Sequence, residues 1–118
     1  MSDIAYKLLD RDEWAAARAQ GAYEGSEVDR ADGFIHLSTA AQLAETARRH
    51  YAGRDRLMLV EVDLDQVVGV RWEASRGGAL FPHIHGPLPT TAATAERPLA
   101  VGPDGTMRFE DGGPAWAG

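Results

Sequence analysis

Cysteine is absent from this chain, which removes disulfides, thiolate nucleophiles and zinc–thiolate sites together. No apolar run approaches the ~20 residues of a membrane-spanning helix. The opening Met1-Ser2-Asp3 shows neither the basic nor the apolar stretch of an export signal, so a cytoplasmic protein with no membrane partner is expected. Positive charge is scarce: 12 Lys and Arg stand against 18 Asp and Glu, a net charge of −6. That balance argues against DNA as a main partner, because phosphate backbones require a concentrated cationic surface. The standard motifs are missing too, with no GxGxxG, Walker A, HExxH, GxSxG or EF-hand loop. Function must therefore be carried by single residues.

What is present suits one domain. An apolar fraction of 44% and a charged fraction of 25% in 118 residues are ordinary for a globular chain. A single domain is expected over residues 1–109, with 110–118 a frayed tail. Ile4 to Leu9 reads as a strand. Asp10, with Glu13 three residues on, signals a helix over Arg11 to Gln20, stopped by Gly21. Residues Ala22 to Asp32 read as a polar loop, either a lid or a plain connection. Thr39 with Gln42 forms a capping box for a second helix, whose Ala40, Leu43, Ala44, Ala47 and Tyr51 recur at helical spacing. Arg48, Arg49, His50, Arg54 and Arg56 gather at its end, where cations complement the helix dipole.

Strands follow. Leu57 to Asp63 reads as a central strand, and Val68, Val70 and Trp72 alternate with Gly69, Arg71 and Glu73 as a half-buried one. Leu80 to His85 is extended, with Pro82 making it an edge strand or an irregular segment. Thr/Ala-rich residues 89–97 read as strand because Pro98 disfavours a helix before it, and Pro103-Asp104-Gly105 is a turn between Leu99–Val101 and Met107–Phe109. Helices early and strands late, without a β-α-β rhythm, define an α+β class with a mixed, mostly antiparallel sheet.

The chemistry concentrates in Asp32-Gly33-Phe34-Ile35-His36-Leu37-Ser38-Thr39. On a strand, Ile35 and Leu37 face one way while Phe34, His36 and Ser38 face the other, beside a helix start that suits an anion or a carbonyl. Ser38 is either a catalytic hydroxyl or a helix-entry cap. His83 and His85, two apart, would share a face, and with His36 and either Glu73 or Asp32 they make a conceivable metal sphere, but the spacing has no zinc-ligand specificity, and no metal is expected. Arg76, Gly77 and Gly78, following Ser75, offer a forked donor and flexible N–H groups for phosphate, or simply a tight turn. Glu73 is a candidate catalytic carboxylate unless it pairs with Arg71, and Glu61 is a second candidate. Phe34, Trp72 and Phe81 read as core, with stacking on a base or nicotinamide the alternative.

The blocks Gly21-Ala22-Tyr23-Glu24-Gly25-Ser26, Asp32 to Thr39, Trp72-Glu73-Ala74-Ser75-Arg76-Gly77-Gly78 and Phe81-Pro82-His83 together resemble the family called domain of unknown function 952. The resemblance implies a fold similar to the ADP-ribosyltransferases, among them RNA 2'-phosphotransferases that use NAD, in which a strand-borne histidine or arginine holds the nicotinamide-side ribose. His36 matches that role. The late glutamate of many such transferases has no clear counterpart. The expected function is thus a cleft for NAD or an ADP-ribose compound, bound by Tyr23, His36, Ser38, Arg76, Gly77, Gly78 and His83. If there is catalysis, it would be ADP-ribosyl or phosphoryl transfer involving His36 and Glu73. The alternatives are a non-catalytic module for a small anion or partner, and a metal-dependent hydrolase.

Overall fold

The computed structural model describes residues 3–114, apart from the Arg76 side chain. Strand β1 (Ile4–Asp10) leads directly into helix α1 (Arg11–Gln20). The Asp10 carboxylate accepts the N–H groups of Asp12 and Glu13, and left-handed Gly21 (φ 92°) ends the helix. Both boundaries follow from the capping residues. Next come β2 (Ala22–Tyr23), α2 (Glu27–Asp32), β3 (Ile35–His36) and α3 (Ala40–His50). The expected polar loop is therefore corrected: it contains a short strand and a helix. Ser26 and Asp29 form a capping box that starts α2. No apolar stripe announces this helix, because the side chain it buries is the Asp29 carboxylate while Val28 is exposed.

The remaining strands are β4 (Leu57–Asp63), β5 (Val70–Ala74), β6 (Leu80–Ile84), β7 (Leu88–Pro89), β8 (Ala93–Val101) and β9 (Met107–Phe109). Every pairing between these strands is antiparallel, which makes the fold α+β. They form a four-stranded sheet ordered β1-β4-β8-β9, a three-stranded sheet ordered β3-β6-β5, and the pair β2-β7.

The larger sheet is buried on both faces. Ala5, Leu9, Val60 and Val62 join Trp14 and Ala17 of α1 in one cluster, with Ile35, Leu37 and Ile84 from the smaller sheet's side. Leu8, Leu57, Leu59, Leu99 and Val101 pack with Leu43 and Ala47 of α3 in the other. This is the period-2 alternation of strands covered on both sides. Strand β4 sits between β1 and β8, as its near-continuous apolar run requires.

Three expectations about strands need correction. Strand β5 starts at Val70 because Gly69 turns through φ 86°, where an added Cβ would lie 2.9 Å from the His85 carbonyl oxygen. Trp72 is not core: it lies on the outer strand β5 and is 44% exposed. Strand β6 is central in its sheet, not an edge, despite Pro82.

The Pro82 carbonyl accepts from Leu37 N–H at 3.1 Å, so the side on which Pro82 has no N–H faces β3 just beyond its two paired residues. Pro98 repeats the device in β8, its carbonyl accepting from Glu110 N–H one residue past the end of β9. Each proline directs its missing donor at a partner strand that has already ended. Before β8 lies a single 3-10 turn, Thr90–Ala92, within the stretch read as strand. Beyond β9, Asp111 is held by a forked pair from Arg97; residues 115–118 of the expected tail lie outside the described residues.

Candidate functional site

The site is built at the edge of β1, where the two sheets meet. Tyr6 and Ser38 exchange backbone hydrogen bonds (2.8 and 2.9 Å), so the segment after β3 is stitched to β1. Beyond that bridge the edge of β1 opens into a cleft of about 630 Å³, lined among others by Lys7, Asp29, His36, Ser38, Arg54 and His83. That volume falls within the roughly 300–1,000 Å³ of small-molecule sites. Because side chains alternate along a strand, the cleft straddles β1: Lys7 projects toward α2, and the Leu8 side chain packs with α3.

Asp29 is the centre of the α2 wall. Its carboxylate is 2% exposed and accepts from Lys7 Nζ (2.9 Å), His36 Nδ1 (2.6 Å), the His36 N–H (3.1 Å) and the Ser26 N–H (2.9 Å). Burial pushes its pKa up, but the His36 hydrogen bond, the Lys7 charge and the Ser26 N–H outweigh burial and hold the group well below the ordinary carboxylate range. Lys7 is buried beside it; desolvation lowers its pKa, and the Asp29 charge offsets only part of that.

The other ring nitrogen of His36, Nε2, lies 3.0 Å from Asp32 Oδ2. Both nitrogens of His36 are thus engaged by carboxylates, a geometry in which each is a donor.

On the same face of the smaller sheet, His83 pairs in register with His36. Its Nδ1 meets Glu73 Oε1 at 2.8 Å, and the same oxygen takes His85 Nε2 at 2.8 Å. Hydrogen bonds from His85 and then His83 lower the Glu73 pKa. The expected Glu73–Arg71 pair is thus replaced by two imidazoles. Phe34 stacks on the His83 ring (4.1 Å, 19°) and touches His36 at 4.6 Å, so the histidines share an aromatic spacer. Among the described residues, no group of three or more His, Cys, Asp or Glu is arranged to hold a metal ion.

The α3 wall carries Thr46, His50, Tyr51 and Arg54. Ser38 Oγ bonds Thr46 Oγ1 at 2.8 Å. The cap of α3 is Thr39, in the expected box with Gln42, so Ser38 is not the cap. Tyr51 donates to the Leu8 carbonyl at 2.7 Å, and burial pushes its phenol up to about 12.

Of the residues singled out from sequence, His36, Ser38 and His83 line this cleft. Glu73 stands behind His83. Tyr23 does not line the cleft: it is 3% exposed, set edge-on against Trp14, and its hydroxyl has no hydrogen-bond partner among the described residues. Gly77 and Gly78 form an exposed turn in which the Gly78 N–H returns to the Ser75 carbonyl; Ser75 lines the cleft and the two glycines do not. The Arg76 side chain lies outside the described residues. Glu61 is engaged by Thr94 and Tyr6, away from the histidines.

Lys7 and Asp29 were not found from sequence. The signal for Lys7 was its place between the core-facing Ala5 and Leu9; for Asp29 it was the Ser26-x-x-Asp29 box.

An antiparallel α+β fold with a histidine-bearing cleft between its sheets defines the class of protein. The family described as protein of unknown function (DUF952) matches residues 8–96, and the chain belongs to that family. The crystal structure of protein CC0527 from Caulobacter crescentus is 47% identical, with a TM-score of 0.83 over 89% of this chain and 93% of that one. The solution NMR structure of CC0527 gives 47% identity and a TM-score of 0.76 over 89% and 90%. Comparison with curated proteins finds no match. No described helix is long and apolar enough to cross a membrane.

Proposed function

We propose that the cleft binds a nucleotide-type ligand of the NAD or ADP-ribose class, in an ADP-ribosyltransferase-like manner. The observation that carries this reading is the unequal charge of the cleft's two walls. Helix α2 contributes the open carboxylates of Glu27 and Asp32, with Asp29 paired to Lys7 behind them, whereas the turn after α3 contributes Arg54, next to His50 at the end of the helix. A ligand with a cationic nicotinamide ring at one end and a pyrophosphate one ribose further along complements both walls. The Ser38–Thr46 hydroxyl pair lies between them as a partner for ribose hydroxyls.

The α2 carboxylates open to the cleft are Glu27 and Asp32, which favour developing positive charge on a ribosyl carbon; Asp29 is taken up by Lys7, His36 and Ser26. Glu73 is occupied by two imidazoles, and Glu61 lies elsewhere.

Calorimetric titration with NAD and with ADP-ribose tests the reading. Saturable heat is expected for both, with NAD the tighter because only it carries the pyridinium. Arg54→Glu is expected to weaken both ligands about tenfold or more, through loss of a charge-assisted contact and gain of a repulsive one. The absence of heat and of any thermal shift at millimolar NAD refutes the proposal.

A further inference from the structure

The two cleft histidines are bonded differently, and the difference separates their chemistry. His36 has carboxylate oxygens at both ring nitrogens, Asp29 at 2.6 Å and Asp32 at 3.0 Å. A ring donating from both nitrogens has no lone pair with which to accept a proton. His83 has a carboxylate only at Nδ1, where Glu73 lies at 2.8 Å. Among the described residues no hydrogen bond is made by its Nε2. His83 lines the cleft and Glu73 does not, so the ring edge turned toward the cleft is the Nε2 edge. Phe34, stacked at 4.1 Å, holds the ring plane.

From this geometry we infer that His83 Nε2 is the general base of the site, with Glu73 its positioning residue, while His36, held between two carboxylates, does not take that role. The inference rests on the NAD-class reading above and deepens it into an activity. The substrate class is an N-ribosyl pyridinium, and the acceptor is water or an alcohol.

The step balances without a further reactant. The C1'–N bond breaks and its electron pair returns to the pyridinium nitrogen, releasing neutral nicotinamide. The acceptor oxygen bonds to C1' as its proton passes to His83 Nε2, and that proton then leaves to solvent. Glu73 keeps the Nδ1–H in place and stabilises the imidazolium that forms, the orienting role carboxylates play beside catalytic histidines. The charged or titratable groups around His83 are Glu73 and its register partner Arg71 on β5, His36 on β3 with Asp29 and Asp32 behind it, and His85 beyond its own strand.

The experiment uses the full chain with NAD, following nicotinamide release and NAD affinity in parallel. In wild type, turnover is expected to rise with pH along a single acidic limb. His83→Gln is expected to lower kcat by about 10²–10⁴-fold, the range for loss of a general base, to leave KM and NAD affinity near wild type, and to erase the acidic limb. Glu73→Gln is expected to lower kcat by a smaller factor and to displace the limb, which a purely structural role would not do.

Nitrogen chemical shifts of His83 supply a readout that needs neither turnover nor a folded His83 variant: the neutral ring should carry its proton on Nδ1. A ring protonated on Nε2, a His83→Gln enzyme with an unchanged rate and pH profile, or NAD that binds without being consumed by water or added alcohol would each overturn the inference while leaving the binding reading intact. Failure of NAD to bind overturns the binding reading itself and this activity with it.

Discussion

His36 and His83 sit opposite each other in one sheet, their ring centres 5.4 Å apart, yet their carboxylate partners come from very different surroundings. The partner of His36, Asp29, is interior, charged and held by four donors. The partner of His83, Glu73, is 36% exposed at the rim and shared with a third histidine. An interior carboxylate that must stay ionised fixes its surroundings, because desolvation makes every lost partner costly. A rim carboxylate is hydrated and can orient a ring without the fold depending on it. One histidine is therefore tied to an interior charge pair, and the other, though itself 4% exposed, is oriented by a carboxylate at the rim.

The sharpest way to break that contrast is Asp29→Ala. It leaves Lys7 buried without a counter-ion and is expected to destabilise by about 3–5 kcal/mol, measured by chemical denaturation. The companion change Lys7→Met with Asp29→Leu should recover only the part due to the unpaired Lys7 charge, because the Ser26 and His36 N–H groups still lose their acceptor.

Acid titration sharpens the same point. The folded-state pKa of Asp29 is depressed, so its stabilising contribution is complete above the unfolded value of about 3.9 and is lost as pH falls below that value toward the folded one. Asp29→Asn should flatten the acid limb of the stability curve, whereas Glu73→Gln, which removes a depressed but rim-exposed carboxylate, should flatten it much less.

Gly25→Ala is expected to cost about 1–3 kcal/mol: Gly25 has φ 105° and an added Cβ would lie 2.9 Å from the Asp29 Cβ, displacing the carboxylate from its donors. Tyr23→Phe runs the other way. It removes a buried hydroxyl that has no partner among the described residues and should raise stability by about 1 kcal/mol, read as a higher melting temperature, with ligand affinity unchanged. The smallest effect is expected for Glu73→Ala, whose melting temperature should stay close to wild type while the His83 ring loses its fixed orientation.

The contrast also explains what could be read from residue order. Helices α1 and α3 and strand β4 were legible because caps and apolar periodicity are local and agree with burial, as with Asp10, Thr39 and Leu57 to Asp63. The strand face shared by Phe34, His36 and Ser38 was legible for the same reason. Helix α2 was not, since it buries a carboxylate where periodicity looks for a hydrophobe. Lys7 and Asp29 lie 22 positions apart, and nothing local joins them until β1 and α2 are set side by side. The Glu73–Arg71 expectation failed because same-strand neighbours were weighed without β6, which brings His83 across.

Pro82 turns a missing donor into a junction. Because β6 offers no hydrogen on that side after His83, the chain of β3 leaves the smaller sheet after two residues and is bonded to Tyr6 of the larger one by Ser38. Residues 35–38 therefore act as a rivet through two plates: His36 is fastened to one and Ser38 to the other. Any hinge motion that widened the cleft would have to shear that rivet, so passage of the proposed ligand falls to the side-chain walls of α2 and the turn after α3.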